Sequence, residues 1–154
     1  MLRPFPGALS LEVSIQPRHR ASCASVLTIR NNRTFQGRVN NGRLKLKSIS
    51  ISSEGTGTNV VELYLKKNAT LGGSPSYTEV DAGVSSVSFD TAATTVTNAV
   101  AYPSLSIARG SKDLIQFDND DPVYLEPEET ITLSGSSASS IAITAVFNWI
   151  ELKD

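Results

Sequence analysis

Cysteine occurs once in this chain of 154 residues, as Cys23, and histidine once, as His19. A lone cysteine excludes an intrachain disulfide, and the pair is too few for a four-ligand zinc site of Cys and His. Cys23 is expected as a small buried or half-buried residue. Aromatic residues make up 6%, which leaves little for stacking on bases or sugars. Charged residues are 19%, below the usual quarter. No apolar run approaches the ~20 residues of a membrane-spanning helix, so no membrane partner is expected. The opening MLRPFPGALSLEV has two early prolines and no sustained apolar stretch, and does not read as a signal peptide. The expectation is a protein folded in cytoplasm with no need for oxidation. The Asn-x-Thr triplets at Asn32 and Asn68 are then chance matches to a glycosylation signal.

Ser, Thr and Asn fill the space the charges leave, and hydrophobic residues stand at 40%. That composition suits a globular β-protein with solvated strand faces and many turns. The length suits one core. The net charge of −1 hides an asymmetry. Residues 1–50 hold nine basic side chains against Glu12 alone, a net +8, whereas 51–154 carry five basic and fourteen acidic, a net −9. Such halves imply an end that meets a differently charged surface, or subunits paired head to body.

Residues 1–24 read as an extended N-terminal arm and 25–154 as the folded domain. Within the arm Leu9, Leu11, Val13 and Ile15 alternate with Ser10, Glu12 and Ser14, a period-two strand with one apolar face. Set between prolines, it must join the edge of a sheet, its own or a neighbour's. A strand is predicted from Ser25 to Ile29, and Asn41-Gly42 is a tight-turn signal. In Leu44 to Ser53 the phase slips between Leu44/Leu46 and Ile49/Ile51, and a bulge near Lys47-Ser48 would restore one buried face.

Val61, Leu63 and Leu65 form one face of the next strand, which Leu71-Gly72-Gly73-Ser74-Pro75 breaks. Short strands follow at Tyr77 to Val80, Val87 to Phe89, Val100 to Ile107 (interrupted by Pro103, as at an edge), Leu114 to Phe117, Val123 to Leu125 and Ile131 to Leu133. Ser140 to Leu152 is apolar on both faces and belongs at the centre of a sheet, with Trp149 in the core. No window of ten residues holds a helical period. The fold class is all-β, an antiparallel β-sandwich of jelly-roll-like type behind the arm.

Chemistry is sparse. His19 lies between Arg18 and Arg20 with no nucleophile elbow in the chain, so no catalytic triad is marked. Asp118, Asp120 and Asp121 are the weak candidate for calcium, but they lack the EF-hand offsets, and no metal or other cofactor is expected. No carboxylate pair is marked for glycosidase work, and no enzyme activity is expected. The arginines of the first third have Phe35 as their only aromatic company between Arg18 and Lys47, so nucleic acid is not the expected partner. A protein surface is, with Leu9, Leu11, Val13, Ile15, Arg18, Arg20 and Arg33 as candidate interface residues.

Val60 to Ala92 reads VELYLKKNATLGG, SYTEVD and SSVSFDTAA. It resembles a module of tailed-bacteriophage virion proteins of tail-fibre or capsid-decoration type. There a strand of the form VxLYKNxTL precedes a Gly/Ser turn, YTDVD and S-V-x-x-D-T-A-A. The likeness extends to Leu27-Thr28-Ile29-Arg30-Asn31, to Thr34-Phe35-Gln36-Gly37, and to Leu125–Thr130, where the module often has L-x-PGET. It closes on Val146–Glu151, like the module's SLNWxE. Glu128 stands where that pattern has glycine, which puts the shape of that turn in question. The resemblance implies a non-enzymatic structural protein, located in the virion after assembly in host cytoplasm. Its implied partners are other virion proteins, of capsid or tail, and further copies of itself in a homo-oligomer, a trimer by the habits of virion symmetry. A carbohydrate- or receptor-binding module of an adhesion device is the alternative, with Tyr64, Tyr77, Tyr102 and Tyr124 as its candidate aromatics.

Overall fold

The computed structural model describes residues 3–4, 9–15, 26–53, 60–81, 83, 85–97, 100–102, 105–108, 110–136 and 143–153. These are strands and their connections, with no helix among them. In chain order the strands are β1 (Arg3–Pro4), β2 (Leu9–Ile15), β3 (Val26–Asn31), β4 (Thr34–Phe35), β5 (Arg38–Val39) and β6 (Arg43–Ser53). Then come β7 (Val60–Lys67), β8 (Thr70–Gly73), β9 (Thr78–Glu79), β10 (Val87–Asp90), β11 (Ala93–Thr97) and β12 (Val100–Ala101). The last are β13 (Leu105–Ala108), β14 (Lys112–Gln116), β15 (Tyr124–Leu125), β16 (Thr130–Ser136) and β17 (Ile143–Lys153).

Every pairing is antiparallel. One sheet runs β2-β17-β6-β14, with β1 and β15 on its margins. The other runs β13-β7-β16-β3-β10-β9, with β12 beside β13 on the same edge. Take the principal strands β2, β3, β6, β7, β13, β14, β16 and β17 in order. The first pairs the last, the second the seventh, the third the sixth and the fourth the fifth. That is a long hairpin of four strands per arm, rolled so that alternate pairs fall in opposite sheets, which is the jelly-roll connectivity. The N-terminal strand β2 therefore joins its own chain's sheet. Its register sets Leu9, Leu11 and Val13 opposite Trp149, Phe147 and Ala145.

Alternation explains the core. Leu44, Leu46, Ile49 and Ile51 of β6 and Ala145, Phe147 and Trp149 of β17 point inward from one sheet. They meet Leu27 and Ile29 of β3, Leu63 and Leu65 of β7, Val87 of β10 and Ile131 and Leu133 of β16 from the other. All these side chains are buried, each stabilising the fold by ~1.5–3 kcal/mol against exposure for the larger ones. The phase slip in β6 is a bulge. Asn148 faces Ser48 and Trp149 faces Leu46, so Lys47 is the extra residue that keeps both halves facing inward. The bulge also divides the strand's other edge, where β15 pairs the first half and β14 the second.

Two local predictions resolve differently. The two-residue hairpin turn is at Gln36-Gly37, between β4 and β5, with φ of 52° and 73° as a type I′ turn requires. Asn41-Gly42 lies instead in an open loop, because the buried side chain of Asn40 accepts from Gly42 N at 2.9 Å and holds it there. The break at Leu71 to Pro75 is partly strand: β8 pairs β11 in a small separate sheet. Strand β11 of this insert lies near β3. Thr28 and Thr132 point away from the core yet are fully buried, their hydroxyls 2.9 Å apart. Asp90 beside them is also fully buried, and its carboxylate accepts from the backbone of Ser76, Ala92 and Ala93 at 2.6, 3.1 and 3.1 Å.

Candidate functional site

The site begins at Asn31, the last residue of β3, which is fully buried. Its amide donates to the carbonyls of Gly42 and Leu125, both at 3.0 Å. Its side-chain oxygen accepts from Asn40 at 2.8 Å and from the Ser86 hydroxyl at 3.1 Å. All four capacities of the side chain are used. Asn31 thus ties the end of β3 to the loop of Asn40 and Gly42, to Ser86 and to β15, and alternation turns its neighbours Arg30 and Asn32 toward the opposite, outward side.

Cross-strand register then builds a polar row. Arg30 of β3 faces Ser88 of β10, and Ser88 faces Glu79 of β9. Arg30 is held in place. Its guanidinium lies 3.8 Å from the centre of the Tyr77 ring, and its Nε donates to Asn32 Oδ1 at 3.2 Å. Asn32 Oδ1 also accepts from the Ser88 hydroxyl at 2.6 Å. Tyr77 stands next to the segment that Asp90 pins through Ser76 N. Burial pushes the Tyr77 phenol above its ordinary 10.0, with Arg30 opposing that and Asp90 adding to it.

The third wall is a turn, Glu126-Pro127-Glu128-Glu129, closed by Glu129 N donating to Glu126 O at 3.0 Å. Pro precedes a residue with φ of 74°, the signature of a type II turn, where glycine is the usual occupant. Here the residue is Glu128. The turn is the one a Pro-Gly pair would make, and a long acidic side chain sits in the left-handed conformation that disfavours it. Its backbone N–H donates to Asn31 O at 2.7 Å, which docks the turn on the end of β3. Its carboxylate lies 3.8 Å from Arg33, both side chains mostly exposed. Arg30, Asn32, Arg33, Tyr77, Glu79 and Glu128, with Thr34 and Ser88, surround a cleft of about 450 Å³.

A second hollow, of about 600 Å³, lies on the outer face of β6, β14 and β17 around Ser50, Ser52, Leu114 and Val146. It is an open sheet face on which Lys112 and Asp113 are the charged lining residues.

The structure brings together only part of what the sequence marked. Arg33 and Tyr77 are in the cleft. Arg18, Arg20, His19 and Cys23 lie outside the described residues. Leu9, Leu11, Val13 and Ile15 form β2, whose backbone pairs β17. Asp118, Asp120 and Asp121 are exposed in one loop where Asp120 N donates to Asp118 Oδ1 at 3.2 Å. Among the described residues no three His, Cys, Asp or Glu side chains are grouped to hold a metal ion. Tyr64 donates to Glu62 at 2.5 Å, Tyr102 packs on the core and Tyr124 stacks under Arg43 at 4.2 Å, all away from the cleft lining. Trp149 is fully buried in the core.

The charge asymmetry is met partly within the chain. Arg33 and Arg43 of the basic third approach Glu128 and Glu126 of the acidic part, at 3.8 and 3.9 Å. Lys45 reaches Asn119 in the acidic loop at 3.1 Å. Arg30, Asn32, Glu79 and Ser88 carried no signal of their own in sequence, because only the β3-β10-β9 register gathers them. No protein-family model matches the chain, and comparison with curated proteins and with solved structures finds no match.

Proposed function

We propose that this chain is a non-enzymatic structural protein of a tailed-bacteriophage virion, a small jelly roll that assembles with copies of itself on the capsid surface or the tail and fibre apparatus. The observation that carries the reading is the motif resemblance over most of residues 25–152. The jelly-roll connectivity, recurrent among viral capsid proteins, agrees with it, and fold alone would not carry it.

The route to assembly follows from the sheet margins. Strand β2 is used within its own sheet, on one side, by β17. Its other edge has no strand partner among the described residues, and a neighbouring chain would add there by β-augmentation. Leu9, Leu11, Val13 and Ile15 then contribute through the backbone of that outer edge. The arginines at 18 and 20 would follow directly after it and steer an acidic partner. The test is mass spectrometry of gradient-purified particles produced from the genome that encodes the chain. Recovery in stoichiometric copies with the major virion proteins is expected. Recovery only in the particle-free fraction overturns the reading.

A further inference from the structure

We propose that the cleft between β3, β9 and the Glu126–Glu129 turn binds a neutral saccharide. The inference goes beyond the assembly reading and holds wherever the chain resides.

Three observations carry it. The first is size: about 450 Å³ falls within the ~300–1,000 Å³ of ordinary ligand pockets. The second is the kind and balance of groups. Two guanidinium groups, Arg30 and Arg33, stand with two carboxylates, Glu79 and Glu128, beside the Asn32 amide and the Ser88 and Thr34 hydroxyls. A sugar hydroxyl both donates and accepts, so adjacent hydroxyls match a fork of donors and a pair of acceptors together. An anion would be repelled by the two carboxylates and a cation by the two guanidiniums, so the balance selects no ion. The half-buried Tyr77 ring, one face of which Arg30 covers, supplies the apolar part of the wall.

The third observation is strain. Glu128 occupies φ of 74° at a turn position that glycine takes without penalty. Its backbone contacts, to Asn31 O and through the turn, need no side chain. Its ion pair with Arg33 is exposed at 3.8 Å and worth little. Strained residues concentrate at working sites. The side chain's remaining task is the cleft it borders. Preorganisation agrees, since Arg30 is fixed by Tyr77 and Asn32 before any ligand arrives.

The experiment is a glycan array of neutral and acidic oligosaccharides, followed by titration of the best neutral hit into ¹⁵N-labelled full chain. Shifts are expected at Arg30, Asn32, Arg33, Tyr77, Glu79 and Glu128. Glu128→Gly should raise the melting temperature and weaken binding about tenfold, the loss of one charge-assisted hydrogen bond. Glu79→Gln, on the exposed strand β9, should weaken binding to a similar extent with folding unchanged, so the proposal does not hang on one variant. An array with no neutral hit, a hit only among sialylated or uronic glycans, shifts confined to another surface, or binding unchanged in both variants would each overturn it.

Discussion

Replacing Asn31 tests whether one side chain holds the end of β3 to its surroundings. In Asn31→Ala the carbonyls of Gly42 and Leu125 lose their donor. Asn40 keeps its bond to Asn32 O at 2.7 Å, and Ser86 keeps a longer contact to Glu151 at 3.5 Å, so the loss falls mainly on the two carbonyls. A buried acceptor left unpaired costs ~1–3 kcal/mol, which puts the variant about 4 kcal/mol below wild type. Against a total of ~5–15 kcal/mol this is a large fraction. Urea unfolding followed by circular dichroism should show the midpoint falling by about 2 M at an unchanged slope near 2 kcal/mol per M.

Asn31→Asp sharpens the point. Its second oxygen would face two carbonyl oxygens, so the folded state disfavours the carboxylate and raises its pKa above the unfolded ~3.9. The penalty is small below that value, where both states are protonated, and grows as pH rises through the raised folded pKa. Asn31→Asp should therefore be the worse variant at neutral pH and recover on acidification. Both variants within about 1 kcal/mol of wild type, or no pH dependence in Asn31→Asp, would refute the hub.

Three further outcomes follow from the same packing. Burial pushes the Glu129 carboxyl up, but bonds from Glu126 N, Asn68 and Lys67 outweigh it and hold the group below its ordinary 4.5. Its stabilisation is present above that value and lost as pH falls through the lowered one, so Glu129→Gln should flatten acid unfolding there. Deleting Lys47 would turn Leu44, Leu46, Ile49 and Ile51 into an unbroken alternation, whereas deleting Ser50 would send Ile51 outward. Thermal melts should leave the first folded and unfold the second. Removing residues 1–20 takes away β2, an outermost strand of the jelly roll, and should lower the melting temperature sharply and not only abolish assembly; a body with unchanged stability would contradict its place in the sheet.

Much of this fold was legible because its signals are local. Alternation located most of the strands, and the mismatch of Leu44/Leu46 with Ile49/Ile51 located the Lys47 bulge. The apolar run from Ala145 to Trp149 marked a strand with neighbours on both sides. What sequence could not supply was partnership. Strands β2 and β17 pair across most of the chain, and no local pattern states it. The β8–β11 insert was missed because Gly72-Gly73-Ser74-Pro75 reads as a break, although the Thr- and Val-rich β11 favours a strand. The cleft was legible only at Arg33, Tyr77 and the glutamate-for-glycine departure at Glu128. Arg30, Ser88 and Glu79 are ordinary polar strand residues until register sets them in one row.

Cryo-electron microscopy of the intact particle encoded with this chain addresses the functional reading most directly. Repeated jelly-roll density is expected on the capsid surface or along the tail, with neighbouring copies or shell proteins continuing the sheet beyond β2. Particles that are complete and infectious without any such density would contradict it.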